Sequence, residues 1–78
     1  MDFMDLLTDG ERKQVPQCIA ALRAGQLARD SFLSYRNAQA RMLANARELL
    51  QSFGIPSSEN VTHMQARLAA YDYILNQC

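Results

Sequence analysis

Residues 28–53 read ARDSFLSYRNAQARMLANARELLQSF. Within them Ala28, Phe32, Tyr35, Gln39, Met42, Ala46, Leu49 and Phe53 recur at alternating steps of four and three, with no proline or glycine between. At 3.6 residues per turn these positions fall on one narrow stripe of a helix. A rise of 1.5 Å per residue makes that helix a rod of roughly 40 Å. A rod with an apolar side must lay it against its own chain or another. The stretch therefore predicts an all-α fold and points to association rather than chemistry.

Upstream, residues 1–8 form an acidic and apolar segment, with Asp2 and Asp5 among Phe3, Met4, Leu6 and Leu7. Thr8 and Glu11 have the spacing of a capping box. A first helix is expected over about 11–24, with Val15, Cys18 and Leu22 on one side. Pro16 either kinks this helix or starts its regular part near Val15. Gly25 suits a left-handed C′ position, and Leu27 can staple the long helix, expected over about 28–53. Phe53-Gly54-Ile55-Pro56 stops it: Gly54 suits the Schellman position, Ile55 folds back towards Leu50, and Pro56 forbids continuation. Ser57, Ser58 and Asn60 compete to cap a last helix, expected over about 58–77. Its stripe is Val61, Met64, Leu68, Tyr71, Leu75 and Cys78. Tight connections force neighbouring helices to run antiparallel. The expected architecture is a small antiparallel three-helix bundle, or a helical hairpin with a short third element, in one domain with a long central helix.

Composition narrows the function classes. Of 78 residues 49% are hydrophobic, too many for intrinsic disorder, and the formal net charge is zero. A neutral chain offers no electrostatic footprint for nucleic acid or an anionic membrane. A domain of this size buries only about 60% of its unfolded surface. The core is thin, so help from a second chain is expected. Seven arginines against one lysine read as the codon bias of a GC-rich genome and point to a bacterial or phage source. Two distant cysteines, Cys18 and Cys78, make no disulfide framework and are expected as free thiols in a reducing compartment. No apolar run reaches the roughly 18 residues of a membrane span, and the start is acidic where a signal peptide is basic. The expected location is the cytoplasm.

Few residues could carry catalysis. His63 is the single histidine, expected as an exposed residue turned away from the apolar stripe of the last helix. No Cys-x-x-Cys or His-x-x-x-His pair is present, so no metal is expected. Serines 31, 34, 52, 57 and 58 lack a nucleophile-elbow context, and the isolated glycines form no phosphate loop. We expect no enzyme, no cofactor and no small-molecule substrate.

Two binding readings remain. Arg29, Arg36 and Arg47 lie within about 20° on the wheel, with Arg23 nearby, a flank that a nucleic-acid-associated regulator would use. Against it, the positions that should be apolar after a helix-turn-helix turn are Ser31 and Ser34. The favoured reading is a protein-binding surface for an adaptor, inhibitor or chaperone. Its candidate residues are the Phe3, Leu6 and Leu7 turn, Leu33 and Arg36 on the long helix, and a second face of the last helix formed by Ala66, Ala70 and Tyr73. The stripe through Phe32, Tyr35, Met42, Leu49 and Phe53 also exceeds what the first helix can cover, so a homodimer is expected. Finally, Tyr35-Arg36-Asn37-Ala38-Gln39 is similar to five residues in the C-terminal helix of some type III secretion needle subunits. Those chains end soon after that helix, whereas 25 residues follow Phe53 here. The resemblance adds a helical subunit or co-chaperone of a secretion or phage assembly to the alternatives.

Overall fold

A computed structural model describes residues 2–56 and 58–78, so Met1 and the candidate cap Ser57 lie outside the described residues. A 3-10 turn, Phe3–Leu6, precedes α1 (Asp9–Arg23), α2 (Arg29–Ser52) and α3 (Glu59–Asn76). The protein is all-α, with no strand among the described residues.

Local chemistry sets the helix ends. Thr8 Oγ1 accepts from the Glu11 amide at 3.2 Å, and Glu11 Oε1 accepts from the Thr8 amide at 2.9 Å. This completed box starts α1 at Asp9, and Pro16 stands inside the helix rather than at its beginning. Proline offers no N–H to the i−4 carbonyl, here that of Arg12, and Pro16 itself stands at an exposed position of α1. Gly25 and Gly54 adopt φ of 76° and 70°. After α1, the Gln26 amide donates to Ala21 O at 2.9 Å and the Gly25 amide to Leu22 O at 3.3 Å. After α2, Ile55 donates to Leu50 O at 2.9 Å and Gly54 to Gln51 O at 3.1 Å. Both are Schellman closures, which need the left-handed glycine. Ser58 caps α3, its Oγ accepting from the Val61 amide at 3.1 Å.

The helices run up, down and up. Arg36 meets Asp72 and Arg29 meets Leu75, so α2 and α3 are antiparallel. Glu11 meets His63 and Arg23 meets Gln77, so α1 and α3 are parallel. The hub is α3, which packs on α2, α1 and the 3-10 turn. Leu7, Val15, Phe32, Ala66, Ala70 and Ile74 form the buried cluster.

This arrangement corrects the expected faces of two helices. On α2 the buried side runs through Phe32 and Leu43, with Arg36, Gln39, Ala46 and Leu50 half-buried beside them. Tyr35, Met42, Leu49 and Phe53, expected on the stripe laid against the other helices or a second copy, are exposed. On α3 the residues expected as a free second face, Ala66 and Ala70, are 2% and 4% exposed. They are covered because α1 and the 3-10 turn dock on that side, where a methyl side chain lets helices approach closely.

Candidate functional site

Four large apolar side chains on the outer side of α2 and at its C-cap stand about half or more in solvent. Tyr35, Met42, Leu49 and Phe53 are exposed by 47%, 54%, 59% and 72%. On the wheel they lie roughly 80° from the centre of the buried Phe32/Leu43 side. α3 covers the buried side, and a single helix covers only one such stripe. Ala38, Asn45 and Ser52, all small or polar and exposed except half-buried Ala38, border the row on its far side. The charged residues of α2 lie elsewhere. Arg29, Arg36 and Arg47 flank α3, and Asp30, Arg41 and Glu48 point away from both rows. The uncovered face is thus apolar and uncharged along about 27 Å, from Tyr35 to Phe53. Leu49 and Phe53 were legible as helical apolar positions. What sequence spacing could not reveal was that Leu43, one residue after Met42, takes the core.

At its N-terminal end this row meets a groove. Gln14 and Cys18 of α1, Leu27, Ser31, Phe32 and Tyr35 line it, and Arg67 and Tyr71 of α3 form its floor. Its volume is about 280 Å³. Tyr35 and Phe32 pack edge-on against Tyr71, with ring centroids 5.4 and 5.7 Å away.

The other candidate binding residues are dispersed. Phe3 is half-buried against the Tyr73 ring, at 6.0 Å between centroids, and Leu7 is a core residue. The N-terminal turn therefore closes one side of its own bundle. Leu6, Leu33 and Tyr73 stay partly exposed, at 40%, 40% and 42%. Arg36 is occupied by Asp72, with Nε–Oδ1 of 2.7 Å and Nη2–Oδ2 of 3.2 Å.

The arginine flank is drawn inward in the same way. Arg23 donates to Gln77 O at 2.7 and 3.2 Å, and Arg29 to Leu75 O at 3.2 Å. Both guanidiniums serve the carbonyl end of α3, where the helix dipole favours a cation. Arg47 sits beside the Gln65 side-chain amide.

His63 does not face away from the bundle. It is half-buried, and its Nε2 lies 2.8 Å from Glu11 Oε1, because α1 packs against the side of α3 that carries it. Arg67 Nε stands 3.2 Å from Glu11 Oε2 and donates from Nη2 to the Tyr71 hydroxyl at 3.0 Å. Burial raises the Glu11 pKa, but hydrogen bonds from Thr8 and His63 outweigh it and leave the carboxyl below its ordinary 4.5. Burial, reinforced by Tyr35, pushes the Tyr71 hydroxyl above its ordinary 10.0. The cluster bridges α1 to α3 and presents neither a nucleophile beside a base nor, among the described residues, three metal-ligating side chains together. No helix of the described residues is long and apolar enough to cross a membrane. Comparison with family models, curated proteins and solved structures gave no match.

Proposed function

We propose that this chain is a small non-enzymatic protein–protein interaction module, an adaptor, inhibitor or chaperone, working in the cytoplasm through the outer face of α2. The observation that carries the reading is the uncovered row Tyr35, Met42, Leu49 and Phe53, whose exposure rises steadily towards the end of the helix. Contiguous apolar surface of this kind marks an interaction site more often than scattered exposed residues do. A helix lying along such a row would bury it by the i, i+4, i+7 anchoring common to helix-in-groove recognition. The inward pairing of Arg23, Arg29 and Arg36 supports this reading over nucleic-acid binding, since those guanidiniums already hold carbonyl and carboxylate partners.

The test compares proteins cross-linked to the wild type and to Leu49→Asp in cells of the source organism. Leu49 is exposed, so the variant should melt like the wild type. A protein captured by the wild type and lost with Leu49→Asp supports the reading. Equal capture by both would place the docking surface elsewhere.

A further inference from the structure

We propose that the uncovered face of α2 pairs with the same face of a second copy, antiparallel about Met42, with Phe53 of each copy seated in the α1–α2 groove of the other. The proposal rests on the reading of this face as a docking surface and names its occupant.

The chemistry of the face selects its own copy. It asks for a long helix side that is apolar, uncharged and bordered by small residues, and α2 presents that surface. Set against itself it brings no like charges together and buries no unpaired charge. A partner read through ion pairs would find nothing to pair with on this side.

The order of residues along the row also fits a two-fold axis. In an isologous interface, residue i of one copy meets j of the other, and j meets i. With the axis at Met42, antiparallel pairing sets Met42 against the partner's Met42 and Tyr35 against the partner's Leu49. The same register sets Phe53 opposite the partner's Ser31, on the wall of the groove that Leu27, Phe32 and Tyr35 line. Among the described residues Phe53 is the most exposed large apolar one. The most protruding ring and the open groove are therefore brought together by the register that pairs Met42 with itself. A parallel pairing sets Phe53 against Phe53 and leaves both grooves empty.

Size decides the strength. Four side chains of this class, half to three-quarters exposed, offer on the order of 400 Å² per copy, below the roughly 800 Å² per partner of a standard interface. The dimer should form at about 100 μM and dissociate on dilution towards about 1 μM.

Two measurements test this, with helix content checked for every variant. Light scattering on the unmodified chain at about 100 μM should give twice the 8.8 kDa chain mass, and Met42→Glu or Phe53→Ala should weaken association at least tenfold. Register is read by disulfide trapping in a Cys18→Ser, Cys78→Ser background. Packed helices about 8–10 Å apart bring facing Cα atoms within the reach of a disulfide. Met42→Cys should cross-link to itself on oxidation. Tyr35→Cys and Leu49→Cys should each stay without a covalent link alone and cross-link when mixed. Self-linking of Leu49→Cys as fast as Met42→Cys would show a parallel pair and overturn the register. A monomeric mass at 100 μM without Met42→Cys linking would overturn self-pairing altogether. The loss of a captured partner in Leu49→Asp would still stand, so failure here is distinct from failure of the docking reading.

Discussion

Glu11 of α1 holds His63 of α3 at 2.8 Å, through the same Oε1 that accepts from the Thr8 amide. Its other oxygen stands 3.2 Å from Arg67 Nε. One carboxylate thus finishes the first turn of α1 and ties that turn to the hub helix. A local capping motif has become a tertiary contact.

The first prediction concerns acid. Glu11 titrates below its ordinary 4.5 in the folded chain, so the folded state binds fewer protons than the unfolded state around that pH. Its contribution is complete above about pH 4.5 and is lost as pH falls through the lower, folded value. Urea unfolding of wild type and Glu11→Gln should differ by about 1–2 kcal/mol at pH 7 and converge as pH falls through the folded Glu11 value. A difference unchanged between pH 7 and pH 3 would show that the charge plays no part.

Two adjacent residues of α2 should respond in opposite ways. Met42 is 54% exposed and Leu43 5%. Met42→Asp should shift stability by under about 0.5 kcal/mol when measured at a few micromolar, where association is weak. Leu43→Asp should cost about 3 kcal/mol or more by burying an unpaired charge, enough to unfold a domain this small. Thermal melts followed by circular dichroism give the comparison.

Ala70 tests the covered face of α3. It is 4% exposed and packs in the cluster with Leu7, Val15 and Ile74. Ala70→Leu should destabilise by about 1–3 kcal/mol through overpacking. An exposed docking position would tolerate leucine, so a wild-type melting temperature would contradict the packing of α1 on α3.

Arg23 and Arg29 should matter to stability through the end of α3. Removing both as Arg23→Ala, Arg29→Ala should cost about 0.5–2 kcal/mol at low salt, from lost charge-assisted bonds to Gln77 O and Leu75 O. The loss should shrink in about 1 M salt, which screens exposed charges. Equilibrium urea unfolding at two salt concentrations would measure it.

The ends of the helices were legible from residue order because their causes are local. The Thr8–Glu11 box, the left-handed Gly25 and Gly54 and the Ser58 cap each act within about one turn of the chain. The place of Pro16 was not legible: residue order left it either kinking the first helix or starting it, and in the structure the Thr8–Glu11 box begins α1 at Asp9, so the proline stands inside the helix. The heptad-like row of α2 was visible. Its destination was not. Met42 and Leu43 are both apolar, on rows roughly 80° to 100° apart, and nothing within one helix ranks them. That ranking came from α3, which packs on α1 and the 3-10 turn through the cluster of Ala66, Ala70 and Ile74 and meets α2 through Tyr71, Asp72 and Leu75. Once α3 became the hub, α2 had one covering neighbour and two apolar rows. Local propensity determined where the helices are; the competition of three helices for one small core decided which row was left in water.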